Sequence, residues 1–314
     1  MPSNHSIDNG RLARWGNLEF LARQIVEGFI VGLHKSPFHG FSVEFAEHRL
    51  YNTGEPIRHI DWKLYGRTEK LFVKRYEEET NLRCQIVIDN SSSMLFPVRK
   101  SPSLDNPNKL VYSVYAAASL IELMRRQRDA VGLDLFDSEI TFHSDPRMSQ
   151  ANMVMLYSKL EEQLAEYDKN NIRTTAVPQC LHNIAEMLHR RSLVLLFSDM
   201  LYSQKDAKPV FEALEHLRYN KHEVVMFHVF SGSLEQNLDY GNGIRNFVDL
   251  EQSTSVKLNP VEVKDAYAKI MAEKKNEIIR HCYDNRVDYV ELDMDKGYEQ
   301  ALTAYLVKRE KIRG

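Results

Sequence analysis

Gln85-Ile86-Val87-Ile88-Asp89-Asn90-Ser91-Ser92-Ser93-Met94 decides how this chain is read. Residues of buried-strand character stop abruptly at an aspartate, and two alternating hydroxyls, Ser91 and Ser93, follow it. An apolar run bounded this sharply marks a central strand of a parallel sheet, covered on both faces. The carboxyl end of such a strand opens onto the sheet edge where α/β proteins hold their ligands. One carboxylate and two hydroxyls at that edge are hard oxygen donors, suited to Mg²⁺ or another hard divalent cation.

Working outward, the pattern from residue 84 onward alternates strand and helix, which predicts a parallel sheet with helices on both faces. A helix opens at Asn106-Pro107, as cap and first-turn proline, and carries Leu110, Val114, Ala117, Ala118 and Ile121 on one face. Strands are expected at 130–136 and 139–142, and helices at 149–167 and 178–189. A second fully apolar strand, 192–197, also stops at an acid, Ser198-Asp199. Counted from the Gln85 strand it is the fourth. In a doubly wound sheet of order 3-2-1-4-5-6 the first and fourth strands are neighbours where the winding reverses, so Asp89 and Asp199 would face one crevice. The loop Ile172-Arg173-Thr174-Thr175-Ala176-Val177-Pro178 can bring a third hydroxyl there. A helix at 209–219, a strand at 223–230, a hairpin near 247–258, a helix at 261–284, a strand at 287–292 and a helix at 298–308 complete the series.

Upstream, Asn17 can cap a helix whose apolar face runs Leu18, Leu21, Ile25 and Phe29. Alternation over 41–46 predicts a strand, Asn52-Thr53-Gly54-Glu55-Pro56 a turn, 61–67 a short helix and 71–76 a strand. The chain has 314 residues, more than the ~250–300 at which single cores tend to split. Residues 1–80 are therefore assigned to a small N-terminal α+β module and 81–314 to the doubly wound, mostly parallel α/β domain.

Composition excludes several classes of function. Forty-one Lys and Arg against 44 Asp and Glu leave a net charge of −3, which argues against nucleic acid as a partner. Arg125-Arg126-Gln127-Arg128 falls at a predicted helix end, where it complements the helix dipole. Cys84, Cys180 and Cys282 form no C-x-x-C pair, as expected of buried thiols in a reducing cytoplasm rather than a disulfide frame or a zinc site. Met1-Pro2-Ser3-Asn4-His5-Ser6 lacks the basic and apolar regions of a signal peptide. The apolar stretches 193–197 and 224–230 are far shorter than the ~20 residues of a membrane helix. A cytoplasmic protein without membrane insertion is expected. The chain has no Walker lysine motif, no G-x-S-x-G, no G-x-G-x-x-G and no H-E-x-x-H, and His182 and His189 have no matching ligand pair. Arg58-His59-Ile60-Asp61-Trp62 reads as a salt-bridged cap over a small core rather than a catalytic dyad.

Asp89-x-Ser91-x-Ser93-Met94, a threonine ahead of the next helix, and Ser198-Asp199 together resemble the metal-ion-dependent adhesion site of von Willebrand factor A domains. In that family the serines and the threonine contact the metal directly, the aspartates act mostly through water, and one position stays open for an acidic side chain of a partner. The resemblance implies Asp89, Ser91, Ser93, Thr175 and Asp199 as ligands of Mg²⁺, or of Mn²⁺ or Ca²⁺. Thr174 is adjacent and only one of the two can point inward; Thr175 is preferred because Val177 and Leu181 then fall on the buried face of the following helix. Met200 stands where many such sites have glycine.

The resemblance continues upstream. Gly40-Phe41-Ser42-Val43-Glu44-Phe45-Ala46-Glu47-His48-Arg49, then Tyr51, Gly54, Arg58-His59-Ile60-Asp61-Trp62 and Val73-Lys74, are similar to the bacterial domain-of-unknown-function family numbered fifty-eight. Its members join this motif to a von Willebrand factor A domain and are typically encoded beside MoxR-type AAA+ ATPases. The resemblance implies a non-enzymatic adaptor that recruits an acidic residue of a partner, the MoxR-type ATPase or its client. The alternative is a metal-dependent phosphatase on a Rossmann-like fold. Against that alternative, Ser91 stands where a second acid would be expected, and no lysine is evidently placed to balance phosphate charge.

Overall fold

The computed structural model describes residues 17–35, 48–50, 62–74, 82–164, 173–174, 176–189, 191–201, 207–252 and 254–313. The expected strand at 41–46, the turn at 52–56, His59, Asp61 and Thr175 lie outside the described residues. Two compact units are present, one within Gly28–Asn81 and one formed by the residues up to Glu27 together with Leu82–Gly314. In the smaller unit β1 (His48–Leu50) pairs antiparallel with β2 (Phe72–Lys74), with Arg49 opposite Val73, and α2 spans Trp62–Thr68.

Helix α1 (Asn17–Lys35) spans the boundary between the units. Its buried positions are Leu18, Ala22, Val26 and Phe29, so the inward stripe is turned by about one residue from the expected one, and Leu21 and Ile25 are half-buried. The Leu18 amide also donates to Glu161 at 3.1 Å, which anchors the start of the helix on the large unit.

The large unit is built on a six-stranded sheet. Its strands are β3 (Arg83–Asp89), β4 (Ala130–Phe136), β5 (Ile140–Arg147), β6 (Leu193–Ser198), β7 (Glu223–Phe230) and β10 (Asp288–Asp293), in the order β10-β7-β6-β3-β4-β5. Numbered from β3, that is 3-2-1-4-5-6 from the other edge, the order expected. All neighbours pair in parallel except β4 and β5. β5 is longer than its apolar pattern suggests. As an edge strand with register shifts it tolerates Pro146 and a half-exposed surface, which blurred its periodicity.

Alternation along the central strands divides the core between two faces. Val87, Val194, Leu196, Val224 and Met226 pack with α5 (Val177–Met187), α6 (Ala207–Tyr219) and the inner side of α7 (Pro260–Asp284). Ile86, Ile88, Leu195, Phe197 and Phe227 bury on the opposite face, which carries α3 (Lys109–Arg126), α4 (Gln150–Glu162) and α8 (Glu299–Arg313). Between β7 and α7 the chain makes a π-helical turn, Gly232–Gln236, and a separate hairpin of β8 (Arg245–Val248) and β9 (Ser255–Leu258). No described helix is long and apolar enough to cross a membrane.

Helix α3 is the centre of its layer: every residue from Lys109 to Met124 is buried. Its cap is Asn108, whose Oδ1 accepts the Val111 amide at 2.8 Å, two residues beyond the expected Asn106. Pro107 therefore precedes the helix instead of opening it. At the other end, Arg125 and Arg126 do not simply face the helix dipole. Both clamp the buried Glu122 carboxylate, at 2.8–2.9 Å. Burial alone would raise the Glu122 carboxyl, but the two guanidiniums outweigh it and hold it below its usual range. The C-terminal helix is tied down in the same manner. Asp129, fully buried, receives Tyr305 Oη at 2.7 Å, Arg309 Nε at 2.6 Å and the Leu82 amide at 3.1 Å.

Two stability predictions follow from these clamps. Arg309→Ala leaves a buried carboxylate short of its cation and should cost about 3 kcal/mol, read as a lower urea midpoint at unchanged m-value; an unchanged midpoint would show that α8 does not depend on this pair. Glu122→Gln should cost about 1–3 kcal/mol near pH 7. Because the folded-state pKa of Glu122 is lowered, its contribution is complete above the unfolded carboxylate range and is lost as pH falls through the folded value. The gap between wild type and variant should therefore narrow as pH falls below the ordinary carboxylate range of about 4; a gap independent of pH contradicts the assignment.

Candidate metal centre

Parallel pairing of β3 with β6, Ile88 opposite Phe197, sets Asp89 level with Ser198 and brings Asp199 to the same edge. Both carboxylates are almost completely buried. Asp89 Oδ1 accepts the Ser91 amide at 3.0 Å, and its Oδ2 accepts the Ser198 hydroxyl at 2.9 Å. Asp199 Oδ1 accepts the Leu201 amide at 3.1 Å, and the Ser93 hydroxyl also bonds to this carboxylate. Ser91 Oγ and Ser93 Oγ are 3.0 Å apart, on the short 3₁₀ turn that follows β3. The turn is held by the neighbouring loop: the Ser92 amide donates to the Arg173 carbonyl at 2.9 Å, and the Arg173 amide donates to Ser92 Oγ at 2.8 Å.

Four of the five expected ligands, Asp89, Ser91, Ser93 and Asp199, thus share one hydrogen-bonded cluster. Of the two threonines, Thr174 is exposed, and Thr175 is the fifth expected ligand, outside the described residues. Met200 has φ +50°, the left-handed backbone that glycine adopts at no steric cost, and its side chain is buried. The chain therefore keeps the bend while carrying a side chain there.

Two further residues at this edge carry no signal in the sequence, Lys109 and Glu235. Lys109 Nζ is fully buried and donates to Asp199 Oδ2 at 2.6 Å and to Glu235 Oε1 at 2.7 Å, with the Phe96 ring centroid 5.6 Å away. Glu235 arrives on the π-helical turn after β7, its Oε2 accepting the Ser231 amide at 2.8 Å. The lysine that seemed to be missing from this edge is present, but it is already paired with two carboxylates. A lysine in the first turn of a helix reads as solvated; here it is buried against Asp199 and Glu235, which follow β6 and β7.

The electrostatics follow from this packing. Burial, and then the neighbouring Asp199, push the Asp89 carboxyl up to about 7. Asp199 is held below its usual range, because the Lys109 ammonium outweighs the effect of burial. Lys109 is itself raised by its two carboxylates against the effect of burial. Burial pushes the His228 ring down to about 4, so it is neutral at pH 7, with Nδ1 2.6 Å from the Tyr289 hydroxyl.

Among the described residues no group of three or more His, Cys, Asp or Glu side chains is arranged as a metal cage. A cation here would depend on hydroxyls. The chemistry of the donors fits a hard ion: two ligands at about 2.1 Å from an octahedral centre lie about 3.0 Å apart, the separation of the two serine oxygens. Elsewhere, His182 on α5 does meet a partner, His216 of α6, with their Nδ1 atoms 2.9 Å apart and His216 Nε2 on Glu186 at 2.8 Å.

Residues 47–277 match the model of a family described as protein of unknown function DUF58. The uncharacterized proteins Mb1516 of Mycobacterium bovis and Rv1480 of Mycobacterium tuberculosis are each 32% identical to this chain over 91 residues, 29% of this chain and 29% of each relative. The matched segment is thus under a third of those relatives' length. Among solved structures, the conserved hypothetical protein BatB from Bacteroides thetaiotaomicron aligns over 73% of this chain and 99% of its own, at 17% identity and a TM-score of 0.43. An uncharacterized membrane spanning protein from Vibrio fischeri aligns over 72% of this chain and 96% of its own, at 15% identity and a TM-score of 0.24. With the family model covering most of its length, the chain belongs to the DUF58 family.

Proposed function

We propose that the large unit is a von Willebrand factor A-type binding domain, and that the protein is an adaptor rather than an enzyme. The observation that carries this reading is the convergence of Asp89, Ser91, Ser93 and Asp199 at the reversal point of the sheet, with the serine oxygens 3.0 Å apart. Ser91 and Ser93 would hold a Mg²⁺-type ion directly, with Asp89 and Asp199 behind them as acceptors, and Mn²⁺ or Ca²⁺ could take its place. A hard cation held mainly by neutral oxygens keeps its charge largely uncompensated and so attracts a carboxylate from outside. The partner is a protein offering an acidic side chain, and by family resemblance a MoxR-type AAA+ ATPase or its client, in the cytoplasm. The ATPase supplies the energy for assembling or activating client complexes, and this chain supplies recognition.

The chemistry of the site favours binding over turnover. Asp89 and Asp199 are tied to backbone amides and hydroxyls, and His228, the nearby imidazole, is buried against Tyr289. The cavity beside Asp199, bordered by Met200, His228, Phe230 and Glu235, is about 30 Å³. That is room for a water and not for an organic substrate. Lys109 is the one observation that favours the phosphatase alternative, since a cation beside two strand-end aspartates can balance phosphate charge. Its burial between Asp199 and Glu235 leaves it no open side for a phosphate.

The test uses the full chain and its Ser91→Ala and Ser93→Ala variants. Wild type should bind Mn²⁺ and retain a purified MoxR-type ATPase on a column, and EDTA should release the ATPase. Each serine variant should lose at least tenfold in Mn²⁺ affinity while keeping its thermal midpoint within a few degrees. Retention of the ATPase in EDTA would contradict the metal's part, and metal-dependent hydrolysis of an aryl phosphate, lost in Ser91→Ala, would replace the adaptor with the phosphatase.

A further inference from the structure

The ammonium of Lys109 lies where the metal reading would least expect it. Two buried carboxylates, Asp89 and Asp199, share the tips of adjacent strands, and Glu235, partly buried, reaches the same lysine from the turn after β7. Like charges this close in a dry edge repel strongly, and each needs a counter-charge or a proton. Lys109 Nζ meets that need for two of them, at 2.6 Å to Asp199 and 2.7 Å to Glu235. Its placement is built into the fold. The Lys109 amide donates to the Phe96 carbonyl at 2.9 Å, the Asn108 cap fixes the first turn of α3, and the side chain is 0% exposed. The ammonium cannot swing out to solvent without leaving the buried Asp199 carboxylate short of its counter-charge.

Building on the adhesion-site reading, we infer that Lys109 is the resident cation of this edge: it keeps the site folded without metal and competes with a divalent ion for Asp199. Asp199 Oδ2 is committed to the ammonium and Oδ1 to the Leu201 amide, so an ion drawn to the serines finds this carboxylate already neutralised. When an ion binds, Lys109 can retain Glu235 alone, which lets the edge exchange one counter-charge for the other without unfolding. Lys109 and Glu235 are thus positioning residues that set the affinity of the site. The metal-free protein is an ordered resting state, and the wild-type site is a weaker one than its serines and aspartates would make alone.

The inference is tested on the full-length protein, using the electron paramagnetic resonance signal of free Mn²⁺ to read binding and circular dichroism to check folding. The proteins compared are wild type, Lys109→Met and Lys109→Met/Glu235→Gln; the double variant removes the ion pair without leaving a new net charge. Wild type should fold in EDTA, and its midpoint should rise less on adding Mn²⁺ than that of either variant. Both variants should bind Mn²⁺ at least tenfold more tightly than wild type, and the single variant's midpoint should rise on adding Mn²⁺. A single variant that folds only with Mn²⁺ also supports the inference, because the ion then replaces the ammonium; one that fails to fold under either condition leaves the decision to the double variant. Folded variants that bind no more tightly than wild type overturn the role of Lys109 while leaving the metal reading intact. If neither wild type nor the variants bind Mn²⁺, the metal reading falls and this inference with it.

Discussion

Two carboxylates at the tips of adjacent parallel strands, out of water, are the constraint around which the large unit is arranged. Register alone places them there: β3 and β6 are neighbours, and each ends in an acid. In a medium of low dielectric such a pair is tolerated only with protons, hydrogen-bond donors or positive charge close by. The structure supplies donors and positive charge: both carboxylates accept backbone amides and Lys109 pairs with Asp199, while burial pushes the Asp89 carboxyl up to about 7. The buried start of α3, the π-helical turn that delivers Glu235 and the left-handed Met200 all sit where they satisfy this edge.

The same electrostatics link fold to function. A site that must hold negative charge in a dry crevice is also a site that attracts cations, and one that gathers hydroxyls around them prefers hard ones. In the proposed reading, Lys109 would keep the crevice stable in isolation and the serines would make it responsive to an added ion. On that reading, a partner or a metal would switch the surface through exchange of counter-charges, with no large movement of the sheet beneath it.

Much of this was legible from residues alone, for a physical reason. Residues 86–88 and 193–197 are buried, so they read as uninterrupted apolar runs, and the acid that follows each one must lie at the sheet edge. Strand order followed from the alternation of elements and the reversal rule. What escaped were features without a period. Lys109 and Glu235 lie in a first helical turn and an irregular π-helical turn, where charged residues usually face water. Arg125 and Arg126 looked like dipole partners because Glu122, one turn earlier, gives no sign in sequence that it is buried. The inward line of α1 is turned by about one residue, with Ala22 and Val26 buried and Leu21 and Ile25 half-buried. Asn108 replaced Asn106 as cap because both are good caps, and only the Val111 amide distinguishes them.

The central claim is that Asp89, Ser91, Ser93 and Asp199 form one cation site. The most direct measurement is anomalous diffraction from crystals of the full-length protein soaked in Mn²⁺. The account predicts a single strong peak within about 2.3 Å of both Ser91 Oγ and Ser93 Oγ, with Lys109 drawn toward Glu235. A peak elsewhere on the molecule, or none at this edge at a Mn²⁺ concentration that saturates binding in solution, would contradict it.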